Sequence, residues 1–175
     1  MEFSELIKVR RSIRKYKAAP SHEELAAILK EAQQAPSWKN LQTARCYVVE
    51  SPEKIAEVRT QGLPEGNRSK AENAALIVTT YVKDLSGFNA GVAANAVGNG
   101  WGAYDLGLHD AYLILAASNA GYDTLIMGIR NGDAIREALG IPDSETVMSV
   151  IAIGKRAEEP GIRPRKEPEE VIRYC

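Results

Sequence analysis

Ala75-Leu76-Ile77-Val78-Thr79-Thr80-Tyr81-Val82 carries no charge, and its apolar opening is unbroken. A run of this length and composition predicts a strand covered on both faces, because a strand with one wet face alternates apolar and polar residues instead. Val147-Met148-Ser149-Val150-Ile151-Ala152-Ile153 reads as a second buried strand. Cys46-Tyr47-Val48-Val49 reads as a third, and Thr124 to Gly128 as a short strand or extended segment. Helices are expected between them. Residues 4–9 place Leu6, Ile7 and Val9 on one side. Ser21 and Glu24 form a capping box ahead of Leu25, Ile28, Leu29 and Ala32, and Pro36 is expected to end that helix. Ser51-Pro52 has the favoured order of cap and first-turn proline. Leu106 to Ala120 is apolar almost all round and belongs at the centre of the fold. Asp133 to Leu139 is stopped by Gly140 and Pro142. Residues 83–103, with five glycines and no periodicity, read as a long loop. The tail from Lys155, with Pro160, Pro164 and Pro168, reads as extended chain that lays Val171, Ile172 and Tyr174 over some surface. Helices and strands mix without a regular βαβ beat, so the expected class is α+β in one domain over 1–175.

The 175 residues, 45% hydrophobic and 26% charged, suffice for a real core and exclude a disordered or collagen-like chain. The two cysteines, Cys46 and Cys175, form no CxxC, so no metal site is expected. No apolar run reaches the ~18 residues of a membrane span. The start, Met1-Glu2-Phe3-Ser4, lacks the basic and apolar regions of a signal peptide. A soluble, cytoplasmic protein is the expectation. The net charge of −1 is unevenly spread: residues 1–20 hold six Lys/Arg against two Glu, and 155–175 hold six against five. Such local excess suits a small anion such as a phosphate rather than a nucleic acid, which calls for a basic face.

Arg10-Arg11-Ser12-x-Arg14 packs three fork-shaped donors and a hydroxyl into five residues, a set suited to phosphate oxygens. The bland alternative is a solvated basic turn. Arg163-Pro164-Arg165-Lys166 repeats the theme, though alone it reads as a solvated tail. Pro36-Ser37-x-x-Asn40-x-Gln42 offers amides on a turn or is a plain connection; Asn67-Arg68-Ser69-Lys70 offers an amide and a cation or is a surface helix start. Hydrolytic chemistry finds no support, since neither GxSxG nor HExxH is present. His22 reads as solvated, and Cys46 as an inert residue within a strand. His109 and Asp110 are adjacent on a helix and so do not face each other. Trp101 reads equally as a stacking platform for a planar ligand or as the anchor of a lid. Gly98-Asn99-Gly100-Trp101-Gly102 is no dinucleotide fingerprint, as it does not join a strand directly to a helix.

In order and spacing, Arg10–Arg14, Ala35-Pro36-Ser37-Trp38-Lys39-Asn40-Leu41-Gln42, Leu115 to Gly121, Thr124 to Gly128, and Ile153-Gly154 through Glu159-Pro160 to Lys166 together resemble the nitroreductase family of flavin enzymes. The resemblance runs nearly end to end. It departs at Ala111-Tyr112, where the family often has a Gln-Asn pair, and in the short length, which implies that the inserted helices of larger members are missing or reduced. It implies a mixed, mainly antiparallel sheet flanked by helices, a domain-swapped C-terminal tail over 155–175, and a homodimer with two FMN sites at the subunit interface. It also implies that Arg10, Arg11, Ser12 and Arg14 hold the phosphate, ribityl chain and pyrimidine side of FMN, that Pro36, Ser37, Trp38 and Asn40 come from the partner subunit, and that Arg163 and Arg165 return to the phosphate. By the same resemblance Asn67 and Lys70 reach the flavin ring in some members, Met127 and Gly128 present backbone near its reactive edge, and Arg14 is the candidate for tuning its potential. The implied activity is an FMN-dependent NAD(P)H oxidoreductase passing electrons to nitroaromatic, quinone or related acceptors by ping-pong turnover. Two other readings stay open: a flavin-binding module for storage or electron delivery without NAD(P)H turnover, and a phosphate-ligand binder with no flavin.

Overall fold

The computed structural model describes residues 2–175. Its centre is β7 (Glu145–Arg156), flanked on one side by β3 (Ala75–Val82) and beyond it β2 (Ala44–Val49). On its other side β6 (Asp123–Met127) and β1 (Tyr16–Ala18) pair with successive parts of the same strand. All of these pairings are antiparallel. β3 occupies the residues the sequence predicts for it. β7 runs five residues further than Val147–Ile153 in total, from Glu145 to Arg156, because β1 supplies partners for Lys155 and Arg156.

Both faces of the sheet are covered, as the composition of β3 requires. Leu76, Val78, Val150 and Ala152 turn to one side, where they meet Ile135 of α6 (Gly132–Leu139) and Val58, the first residue of a wide turn that continues α3 (Pro52–Glu57). Ala75, Ile77, Ile151 and Ile153 turn to the other, where they meet Leu25 and Ile28 of α2 (His22–Ala32) and Leu113 and Ala117 of α5 (Gly100–Asn119). Ser21 caps α2 through the expected box: its hydroxyl accepts from Glu24 N, and the Glu24 carboxylate accepts from Ser21 N at 2.8 Å. Ser51 caps α3 as expected, and Gly140 ends α6 in the left-handed conformation at φ 64°.

Three expectations need correction. The segment 83–103 is not all loop. It contains a small hairpin, β4 (Phe88–Asn89) with β5 (Val92–Ala93), and α5 begins at Gly100 rather than Leu106. The glycines there obscure a packed helix start: a Cβ on Gly102 would lie 2.4 Å from Cδ2 of Tyr81, so glycine lets the helix approach β3. α2 ends at Ala32, short of Pro36, in turns closed by Gln34 N to Glu31 O and Ala35 N to Ala32 O. The tail is extended except for α7 (Pro168–Val171), a single turn with proline in first position and a box between Glu167 and Glu170. Its apolar residues do not dock on their own chain: Val171, Ile172 and Tyr174 are exposed, Tyr174 by 95%. Between α4 (Glu65–Arg68) and β3 lies a tight turn, Ser69–Ala71.

Candidate functional site

The segment after α1 (Phe3–Val9) is pinned from several sides. Ile13 is wholly buried, its N–H donates to Thr124 O of β6 at 3.1 Å, and its carbonyl accepts from Tyr16 Oη at 2.8 Å. With Ile13 buried, Arg10, Arg11, Ser12 and Arg14 are left to line a cleft of ≈ 1000 Å³. Residues 160–165 of the tail form its other wall and bring Arg163 and Arg165 to it. A double hydrogen bond fixes where the tail departs: Arg156 donates from Nε and Nη2 to the buried Asp123 carboxylate at 2.8 and 2.7 Å. Ala157 N then donates to Lys15 O at 2.8 Å.

None of these five arginines pairs with a carboxylate among the described residues. Arg11 and Arg14 reach only the carbonyls of Arg10, at 2.8 Å, and Ser12, at 3.2 Å. Burial, and then the charges of Arg165 and Arg11, hold the Arg10 guanidinium below its ordinary range. Clustered cations without counter-charge raise one another's energy, and an anion in the cleft relieves that repulsion. The donor set fits a phosphate group. The structure thus brings together the two basic segments that the sequence holds about 150 residues apart.

The second group lies elsewhere. Trp38–Asn40 is one turn of 3₁₀-type backbone, with Lys39, Asn40 and Gln42 all at positive φ (48°, 56° and 49°). Residues other than glycine persist in that region only where their surroundings over-determine them. Here Ser37 Oγ accepts from Gln42 N at 2.9 Å, and Trp38 N donates to the buried Asp105 of α5 at 2.9 Å. Asp105 also accepts from Ser86 Oγ at 2.6 Å. Pro36 and Ser37 line a separate cleft of ≈ 420 Å³ together with Gln42, Cys46 and His109. No residue lines both clefts.

Trp101 packs on this turn. Its ring centroid is 4.8 Å from that of Trp38 and 5.5 Å from that of Tyr104, and its Nε1 donates to Asn95 Oδ1 at 3.1 Å. His109 Nδ1 lies 3.5 Å from Asp110 Oδ1, at the outer limit of a hydrogen bond, while Asp110 accepts from Thr79 Oγ1 at 3.2 Å. Burial, with the Asp110 charge behind it, pushes the Cys46 thiol up to about 12, in keeping with an inert cysteine. His22 is exposed but not merely solvated, since it is paired with Glu50 at 2.9 Å.

Asn67 meets the turn after β6, and Lys70 meets Asn67. Asn67 Nδ2 donates to Ile129 O at 3.2 Å, and Lys70 Nζ reaches Asn67 Oδ1 at 3.4 Å. Met127 is buried and Gly128 exposed. Sequence reasoning missed three residues that position these groups: Asp105, Asp123 and Arg130. Each is a polar residue next to apolar ones in an ordinary-looking helix, strand or turn, and its role depends on a partner distant in sequence.

An antiparallel sheet between helical layers defines an α+β protein, and its arginine cleft has the charge and the donors to suit an anion. Residues 7–155 match the nitroreductase family, and the chain belongs to it. A relative from Methanothermobacter thermautotrophicus strain Delta H, provisionally called an NADH dehydrogenase/NAD(P)H nitroreductase, is 31% identical over 98% of this chain and 86% of its own. The NADPH-flavin oxidoreductase of Vibrio harveyi is 29% identical over 96% of this chain and 71% of its own. Among solved structures, a protein from Exiguobacterium sibiricum 255-15 in complex with FMN is 27% identical. It covers 100% of this chain and 98% of its own, with a TM-score of 0.88.

Proposed function

We propose that the chain is an FMN-dependent NAD(P)H oxidoreductase that works as a homodimer. The observation that carries this reading is the cleft of arginines without counter-charge, in a chain whose relatives include a protein solved with FMN and a NADPH-flavin oxidoreductase. Arg10, Arg11, Ser12, Arg163 and Arg165 hold the phosphate end of the cofactor, with Arg14 toward its ring. Pro36, Ser37, Trp38 and Asn40 complete the site from the partner subunit, which accounts for none of them lining the arginine cleft of their own chain. Lys70, Asn67, Met127 and Gly128 stand at the reactive edge. Bound there, FMN supplies hydride chemistry between NAD(P)H and an electron acceptor, for which nitroaromatics and quinones are the proposed class.

The protein's own contribution is binding and electrostatics rather than acid–base catalysis. Reduced flavin carries more negative charge than oxidised flavin, so nearby cations favour it. A ping-pong order, with nicotinamide and acceptor using one face in turn, fits a fold without a separate nicotinamide domain. Among the described residues no helix is long and apolar enough to cross a membrane. Free Cys46 and Cys175 suit a reducing cytoplasm.

Anaerobic absorbance of the purified protein tests the reading. A yellow protein that releases FMN on heating and is bleached by NADH or NADPH is expected. Flavin that NAD(P)H cannot bleach would favour the storage module instead, and a protein that takes up no flavin would overturn the proposal.

A further inference from the structure

Arginines are not the whole charge of the cleft between α1 and the tail. Lys8, in the last turn of α1, lines it too, so six cations face one cavity and no carboxylate does. None of the six forms an ion pair among the described residues. A phosphate monoester carries about −1.5 to −2 charges near neutral pH, so one such group answers at most about a third of the charge gathered here. The cavity is also roomy: ≈ 1000 Å³ stands at the upper end of the ~300–1,000 Å³ that serves a whole ligand.

Depth separates these cations. Arg10 and Arg11 are half-buried, and the charges that act on Arg10 are those of Arg165 and Arg11. These three form an inner set. Arg14 is exposed and tied to Ser12 O at 3.2 Å. Lys8 and Arg163 are exposed as well, and neither is among the charges that act on Arg10. They form an outer pair. Half-buried donors attract an anion strongly, because water does not weaken the attraction, and they suit a group that stays. Cations in open water attract it less and are screened by salt, and they suit a group that comes and goes.

We propose that the cleft has two phosphate subsites: an inner one, at Arg10, Arg11 and Arg165, for the resident cofactor, and an outer one, at Lys8 and Arg163, for the phosphate monoester of an exchanging substrate. The role of Arg163 is thereby narrowed from the cofactor to the substrate. Assigning the inner subsite to FMN rests on the functional reading above, but the count of two does not. Two substrates of such an enzyme can carry the second monoester: NADPH, on its adenosine ribose, and free FMN as an electron acceptor. Each has a counterpart that lacks only that phosphate, NADH for the first and riboflavin for the second.

Equilibrium dialysis against radiolabelled inorganic phosphate counts the subsites. The flavin-free chain should bind two phosphates and the flavin-loaded chain one, and Lys8→Glu should remove one from each. A single phosphate on the flavin-free chain would overturn the proposal. Steady-state turnover of the flavin-loaded protein then names the source. KM should favour NADPH over NADH, or FMN over riboflavin as acceptor, by about tenfold, and the pair that shows the difference identifies the substrate. Lys8→Glu should erase most of that ratio through KM rather than kcat, Lys8→Arg should keep it, and added salt should shrink it. Equal KM values within both pairs, or a ratio that Lys8→Glu leaves intact, would overturn the proposal. If the protein takes up no flavin, the functional reading fails, and the phosphate count alone judges the subsites.

Discussion

Five guanidinium groups share one cleft, and nothing acidic among the described residues answers them. That imbalance gives the functional reading its sharpest consequences at the residue scale. Burial and the neighbouring charges of Arg165 and Arg11 hold Arg10 below its ordinary range, and Arg10→Ala should weaken FMN binding by about 1.5–3 kcal/mol, the range for a lost hydrogen bond to a charged group. Equilibrium titration measures it. Arg14 lies at the other end of the motif and is tied only to Ser12 O. Its removal should instead lower the flavin potential, since a cation near the ring favours the reduced state, whereas a phosphate contact is the same in both states. Redox titration of Arg14→Ala separates the two roles, and an unchanged potential would make Arg14 a surface residue. The cysteines behave differently from each other. With its thiol at about 12, Cys46 stays protonated near neutral pH and should resist a disulfide reagent, while exposed Cys175 reacts at once. Cys175→Ser should abolish the fast phase.

At the scale of elements, legibility followed burial. β3 and the Ser21 box could be read because their signals are local: an apolar run and a cap three residues from its partner. The start of α5 could not, because its glycines carry no helical preference and the reason for Gly102 is the ring of Tyr81 about twenty residues earlier. Gly102→Ala should therefore destabilise rather than stabilise, by about 1–3 kcal/mol, although alanine is the better helix former. Thermal denaturation checks the sign: a higher melting temperature would mean that Tyr81 moves aside freely. The site was legible in the same partial way. Arg10–Arg14 and Arg163–Arg165 announce an anion by composition. Asp123, Asp105 and Arg130 act through hydrogen bonds to elements distant in the chain, and nothing in their neighbours signals it.

For the molecule as a whole, two facts remain unexplained by a single chain. Phe3, Ile7, Val9, Ile162, Val171 and Tyr174 leave apolar surface exposed at the first helix and the tail, and the arginines and the Pro36-Ser37 segment line clefts that share no residue. A homodimer in which each site takes its arginines from one subunit and its Pro36–Asn40 turn from the other accounts for both. Complementation between defective chains tests that claim most directly. Arg10→Ala chains and Asn40→Ala chains, each weak in FMN binding alone, are co-expressed under different tags, and the mixed dimer is purified through both. The account predicts that FMN titration of the mixed dimer finds one tight site per dimer with wild-type affinity, because one site receives the intact arginine cleft and the intact turn while the other receives both defects. A mixed dimer with no tight site would contradict it, placing arginines and turn in the same chain's site.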